Sequence, residues 1–111
     1  MRNKLIGTMA FVSLVMVSTM AWAGPDEHSH EAISHAGEAK AHGEMGHAGD
    51  AVKHAKEAIS HVKEAQATSD DKHLGEGLSH LKESVDHGQQ GHPKVSAEHA
   101  DEALKHLKQV N

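Results

Sequence analysis

Histidines repeat along this chain at a spacing that could place many metal ligands side by side. The chain has 13 histidines, and all but His30 form four triplets in which successive histidines are seven residues apart. Seven residues are about two turns of an α-helix, so each triplet would follow one helix face. Imidazole is the commonest protein ligand of transition metals, so the pattern predicts metal binding. We call these twelve predicted ligands the grid histidines. They are His28, His35, His42, His47, His54, His61, His73, His80, His87, His92, His99 and His106.

Carboxylates accompany these histidines at the spacings that put two side chains on the same helix face. They precede a histidine by four residues or follow one by three. Histidines seven apart are about 10 Å apart and cannot share one ion, so carboxylates are expected to complete each site. Such nitrogen–oxygen sites suit Cu(II), Ni(II) or Zn(II), and Cu(II) is favoured by the Irving–Williams order. The supporting carboxylates are Glu31, Glu38, Asp50, Glu57, Glu76, Glu83 and Glu102.

The segments that carry the triplets also carry small and aliphatic residues at helical spacing. This amphipathic stripe is typical of bundle helices. Gly43 and Gly88 are predicted to end the first and third helices. Pro93 is predicted to begin the fourth helix, and Thr68 with Asp71 to form a capping box before the third. The predicted helices span 27–42, 48–66, 70–87 and 93–109.

The sequence contains an internal duplication. When residues 28–66 are shifted by 45 positions they fall on 73–111, and every grid histidine then matches another. Each repeat holds two helices and a short turn, so each is predicted to be an antiparallel hairpin. Two duplicated hairpins that bury their apolar stripes together give an all-α, up-down antiparallel four-helix bundle.

Antiparallel pairing places the histidines of a hairpin in level pairs, which are pairs at the same height on its two helices. At each height of an antiparallel hairpin, the residue numbers on the two helices add up to the same total. Viewed from one end of the hairpin, successive side chains turn about the axes of two antiparallel helices in opposite directions. Both histidine stripes therefore lean toward one shared groove, or both lean away toward the other hairpin, and the sequence leaves these alternatives open. The level pairs are His28/His61, His35/His54, His42/His47, His73/His106, His80/His99 and His87/His92.

The first 23 residues are typical of a cleaved secretory signal. Arg2 and Lys4 precede an apolar run over 5–21, and Ala23 completes an A-x-A cleavage site. The alternative is a membrane anchor, for which a run of about 17 residues is at the short limit. We expect cleavage, a periplasmic location, no membrane attachment afterwards, and a mature metal-binding domain at 24–111.

The composition of that domain excludes several classes of function. The chain has no cysteine, which rules out thiolate nucleophiles and c-type haem attachment. The mature domain is acidic and lacks aromatic residues, which argues against nucleic-acid binding. Di-iron bundles use Glu-x-x-His, whereas the order here is His-x-x-Glu. No serine lies in a G-x-S-x-G motif. We therefore expect a protein that is not an enzyme. We also expect it to be a monomer.

Two heptads carry a resemblance to a known family. H-A-K-E-A-I-S-H at 54–61 and H-A-D-E-A-L-K-H at 99–106, after a secretory signal, resemble the small metal-binding protein family of ammonia-oxidising bacteria. The resemblance covers essentially the whole mature chain. It implies a periplasmic four-helix bundle that binds several divalent metals, copper foremost, in copper handling. Two positions depart from the pattern: Lys40 stands at an apolar position, and Gly37 would interrupt the first helix.

Three functions remain to be compared. The repeated sites favour a multi-site periplasmic protein that buffers or scavenges divalent transition metals. The first alternative is a copper metallochaperone, which usually needs one exchangeable site and would deliver its ion to an unidentified acceptor protein. The second alternative is a structural helical protein whose histidines respond to pH.

Overall fold

Four α-helices make up most of the chain that the computed structural model describes, residues 25–111. They are α1 (Pro25–Glu44), α2 (Ala48–Gln66), α3 (Lys72–Gln89) and α4 (Pro93–Leu107). The predicted signal at 1–23 lies outside the described residues. The described residues confirm the prediction of an all-helical fold with four helices, and α4 begins at proline as expected. None of these four helices combines the length and the apolar character needed to cross a bilayer.

The helices pack around one another in a closed ring. α1 contacts α2 and α4, α3 contacts the same two helices, and α2 meets α4 only weakly across the middle. These contacts are those of a four-helix bundle. Short turns join α1 to α2, the first hairpin, and α3 to α4, the second hairpin.

The buried core is built from small residues in the first hairpin and larger ones in the second. Among residues 27–66, which cover the described side chains of α1 and α2, Val62 is the only fully buried residue larger than alanine. In α3 and α4, Leu74, Leu81 and Leu107 are all essentially buried. A buried leucine contributes roughly 1.5–3 kcal/mol to stability, and an alanine contributes less because it buries less surface. The second hairpin therefore provides most of the apolar stabilisation.

The two turns use glycines other than those predicted to end the helices. Gly46 and Gly91 adopt φ values of 81° and 78°, a left-handed conformation that favours glycine. Gly43 and Gly88 are still helical and buried, so the prediction that they end α1 and α3 is wrong.

Gly43 and Gly88 instead allow the two hairpins to approach closely. A Cβ at Gly43 would lie 2.6 Å from the carbonyl oxygen of Pro93 in α4. A Cβ at Gly88 would lie 2.5 Å from Cγ2 of Val52 in α2. Both distances are shorter than van der Waals contact, so a larger residue at either position would push the hairpins apart.

The start of α3 also differs from the prediction. Asp71 is itself the N-cap, and its carboxylate accepts hydrogen bonds from the backbone N–H groups of His73 at 2.9 Å and Asn111 at 3.0 Å. These two donors lower the pKa of Asp71, that of Asn111 having the larger effect. Thr68 donates to the Ala65 carbonyl at 3.4 Å and forms no capping box, because α3 begins two residues later than predicted.

The two departures from the heptad pattern do not interrupt α1. The helix continues through Gly37 to its end at Glu44. Lys40 reaches across to α4, where its Nζ lies 3.0 Å from Oδ1 of Asp101. The hydrogen bond between them raises the pKa of Lys40 and lowers that of Asp101. The cationic residue thus pairs with the neighbouring hairpin instead of leaving a gap in the core.

Two buried serines link α3 to α4. The Ser84 hydroxyl donates to the Ser96 carbonyl at 2.8 Å, and the Ser96 hydroxyl donates to the Ser84 carbonyl at 2.7 Å. Both side chains are fully buried, and their hydroxyl oxygens are 3.0 Å apart. The corresponding positions of the first hairpin are the buried alanines Ala39 and Ala51, so this link belongs to the second hairpin alone.

Candidate metal sites in the histidine grooves

The histidines of each hairpin lean into the groove between its own two helices. Ring centroids in the first hairpin are 6.0, 5.9 and 6.0 Å apart in His28–His61, His35–His54 and His42–His47. In the second they are 6.2, 5.9 and 6.0 Å apart in His73–His106, His80–His99 and His87–His92. The predicted level pairs are confirmed, and the open choice of groove is decided. Because α1 lies opposite α3, the two grooves lie on opposite faces of the bundle.

Most of these imidazoles bury an Nδ1 that makes no hydrogen bond of regular geometry, although a carboxylate oxygen lies close to several of them. Within residues 25–111, ten grid histidines have a buried Nδ1 with no hydrogen bond. Such unsatisfied atoms are uncommon in native proteins and call for an explanation, such as an ion that they bind. His47 and His92, at the turns, are exposed, as is the off-grid His30. The ten are His28, His35, His42, His54, His61, His73, His80, His87, His99 and His106.

In the first hairpin, carboxylates reach across the groove to histidines of the other helix. The sequence predicted these carboxylates as neighbours of histidines on their own helix, whereas the shortest contacts cross between α1 and α2. Glu64, which the sequence prediction left out, contacts His28 in the same way. It follows His61 by three residues, so the spacing used for the other carboxylates could have identified it. The contacts are His28 Nδ1–Glu64 Oε2 at 2.7 Å, and His35 Nδ1–Glu57 Oε2, His54 Nδ1–Glu38 Oε2 and His61 Nε2–Glu31 Oε2 at 2.9 Å.

The second hairpin repeats only part of this arrangement. His106 Nδ1 lies 2.7 Å from Oε2 of Glu76, and His99 Nδ1 lies 2.9 Å from Oε2 of Glu83. Glu102, which corresponds to Glu57, is held instead by Lys105, whose Nζ lies 3.0 Å from Oε1. That hydrogen bond lowers the pKa of Glu102.

The nitrogen–oxygen distances fit two ligands of one metal ion. At His28, His35, His54, His99 and His106, the Nδ1 lies 2.7–2.9 Å from a carboxylate oxygen but makes no hydrogen bond. Two atoms that each bind an ion at about 2.0–2.1 Å, at right angles, are about 2.8–3.0 Å apart. The contacts of His35, His54 and His99 at 2.9 Å lie in this range, and those of His28 and His106 at 2.7 Å are slightly shorter. Right-angled nitrogen and oxygen ligands are typical of tetragonal Cu(II).

Groups of two histidines and one carboxylate bring the candidate ligand atoms within 4.8 Å of one another. Asp50 completes the group formed by His42 and His47 beside the turn of the first hairpin, where its Oδ2 lies 3.9 Å from His42 Nδ1. Its counterpart in the second hairpin is Val95, which offers no oxygen. The groups include His28/His61/Glu64, Glu31/His35/His61, His35/Glu38/His54, His42/His47/Asp50 and His73/Glu76/His106.

Comparison with known proteins agrees with this geometry. No curated protein matches the chain. A family model described as "Small metal-binding protein" matches residues 1–110, which include both hairpins and all twelve grid histidines. The match spans nearly the whole sequence and agrees with the resemblance seen in the heptads. The chain therefore belongs to the small metal-binding protein family.

Proposed function

We propose that this protein is a periplasmic, non-enzymatic buffer or scavenger that holds several divalent transition-metal ions in its two histidine grooves. Cu(II) is the favoured ion, with Ni(II) and Zn(II) as alternatives. The observation that carries the proposal is the repetition of one ligand group, two histidines and a carboxylate, along the grooves. A repeated site suits storage of many ions better than delivery of one.

The ligand chemistry supports this choice of ions. Neutral imidazole and carboxylate are ligands that Cu(II), Ni(II) and Zn(II) accept, whereas Cu(I) prefers thiolate and thioether groups. The chain has no cysteine, and Met45 is the one methionine after residue 23. The six level pairs set an upper bound of about six ions held by paired histidines, and Asp and Glu residues would complete or neutralise each site.

The proposal also covers the order of the helices, the export of the chain and its oligomeric state. The helices follow an up-down antiparallel order, for which the level histidine pairs within each hairpin give support. The segment 1–23 directs export and is then removed. The mature chain acts as a monomer, and metal ions are its ligands.

Native mass spectrometry of the exported protein with Cu(II) and with Zn(II) tests the proposal. We expect several bound ions, up to about six, with Cu(II) held more tightly. The His30→Ala variant is the matched control, because His30 is exposed and off the grid, and it should bind as many ions as the unmodified protein. A single tight ion with no further binding would contradict storage and favour the copper metallochaperone. No binding at all would favour the structural, pH-responsive protein.

A further inference from the structure

The six imidazoles of each hairpin form one continuous zigzag, not three isolated pairs. In the first hairpin, diagonal neighbours connect one level pair to the next, and they are closer than the level pairs themselves. The ring centroids of His35 and His61 are 5.4 Å apart with planes inclined by 5°. Those of His42 and His54 are 5.1 Å apart and inclined by 4°. We call this run the first ladder; its order is His28, His61, His35, His54, His42, His47.

The second hairpin repeats the zigzag with nearly the same dimensions. Its diagonal ring pairs are His80–His106 at 5.3 Å and His87–His99 at 5.1 Å. The second ladder therefore runs in the order His73, His106, His80, His99, His87, His92. The repetition in both copies of the duplicated unit shows that the diagonal contacts follow from the shared spacing.

Neighbouring candidate sites of the first ladder share their histidines. His61 belongs both to the level group with His28 and Glu64 and to the diagonal group with Glu31 and His35. His35 belongs to that diagonal group and also to the level group with Glu38 and His54. A neutral imidazole has one nitrogen with a free lone pair, so it binds one ion at a time. The diagonal group cannot be filled together with either neighbouring level group.

The geometry points to a run of overlapping sites in each ladder, where an ion uses either a level or a diagonal histidine pair and moves along by exchanging one histidine at a time. This inference rests on the proposed function and specifies how ions occupy the grooves. A ladder in level register holds three ions. In diagonal register it holds two, and its end histidines are left over. Ions can thus redistribute within a hairpin without leaving it.

Two double variants of the first ladder separate overlapping sites from fixed level sites. His28→Ala/His47→Ala removes the two end histidines and leaves the four inner histidines of the ladder, which are consecutive. His42→Ala/His61→Ala removes two inner histidines and leaves only His35 and His54 adjacent. With fixed level sites, each variant loses two ions. With overlapping sites, the end variant loses one ion and the inner variant loses two.

Native mass spectrometry at saturating Zn(II) measures the numbers of ions, and far-ultraviolet circular dichroism shows that each variant is helical. One more ion in the end variant than in the inner variant supports the overlapping ladder. Equal numbers in the two variants overturn it, even while the unmodified protein binds several ions and the proposed function holds. If the unmodified protein binds no ion, the proposed function fails and the ladder fails with it.

Two further measurements protect the test against a variant that fails to fold. The same comparison applies to the second ladder, with His73→Ala/His92→Ala against His87→Ala/His106→Ala. In the unmodified protein, nuclear magnetic resonance with less than one Zn(II) per ladder follows the imidazole signals. Overlapping sites predict a larger metal-bound fraction for His61 than for His28, because His61 neighbours both His28 and His35 whereas His28 neighbours His61 alone. Equal metal-bound fractions of His28 and His61 throughout the titration would contradict the inference.

Discussion

In the first hairpin the core is mostly alanine and the groove is rich in carboxylates, whereas the second hairpin has a leucine core and fewer carboxylates at its ladder. Ala36 corresponds to Leu81, and both are fully buried. Glu64 and Asp50 correspond to Gln109 and Val95. The duplication has kept all the histidines while the residues around them diverged. One copy is better supplied with candidate metal ligands and the other with large apolar residues.

This difference suggests a division of roles within one bundle. A small alanine core buries little apolar surface, so we expect the first hairpin to depend more on its neighbour and on any ions that it binds for stability. The second hairpin has its leucines and the buried Ser84–Ser96 link. We therefore expect the second hairpin to act as the stable support and the first to respond more strongly to metal.

Leu81→Ala should have the largest effect, because it makes a core position of the second hairpin like its counterpart in the first. Removal of a fully buried leucine side chain costs about 2–5 kcal/mol, from lost burial and from the cavity left behind. Urea unfolding of the metal-free protein measures the change. The control is Ala36→Gly, which should cost only about 0.5–1 kcal/mol. A loss for Leu81→Ala no larger than that for Ala36→Gly would contradict the role of Leu81 as a main source of apolar stabilisation.

Metal should protect the first hairpin more than the second. A ligand that binds the native state at 100 times its Kd stabilises that state by about 2.7 kcal/mol. Hydrogen exchange with and without Cu(II) should show faster exchange in α1 and α2 before metal is added, and the larger gain in protection there afterwards. Equal protection of both hairpins without metal would contradict the comparison.

Exchanging one carboxylate between the hairpins should alter metal affinity at one end of each groove. Glu64→Gln gives the first hairpin the side chain that the second has at Gln109, and it replaces the carboxylate whose Oε2 lies 2.7 Å from His28 Nδ1 with a neutral amide, a weaker ligand. We expect the affinity of that site to fall by about tenfold, roughly the loss of 1.4 kcal/mol. Gln109→Glu is the reciprocal variant and should strengthen binding near His73 and His106. Isothermal titration with Cu(II) measures both, and unchanged affinity in each would exclude Glu64 as a ligand.

The smallest effect should come from the cap that holds the start of the second hairpin. The backbone N–H groups of Asn111 and His73 lower the pKa of Asp71. A carboxylate with a lowered folded-state pKa stabilises the fold above its unfolded pKa, and that contribution is lost as the pH falls through the folded value. Asp71→Asn retains a capping side chain without the charge, so its Tm should fall less than that of the unmodified protein between about pH 5 and pH 2. Identical pH profiles for the two proteins would contradict this role.

The spacing of the sequence predicted the helices and the level histidine pairs because both depend only on period and on antiparallel order. Three features depended on information that spacing lacks. The choice of groove depends on how each helix is rotated about its own axis. The two possible rotations are compatible with the same sequence pattern. The contacts of Glu31 and Glu38 across the groove depend on the distance between helices. Gly43 and Gly46 are three residues apart. Only the structure shows that Gly43 allows the close approach of α4, whereas Gly46 forms the turn.

Electron spin echo spectroscopy of Cu(II) bound to the unmodified protein tests the central claim most directly, because it detects the nitrogen nuclei of coordinated imidazoles. The claim is that ions are held by pairs of histidines in the two grooves. It predicts modulation from two imidazoles per ion, both at low loading and near saturation. Ions with oxygen ligands alone, or with one imidazole each throughout the titration, would contradict it.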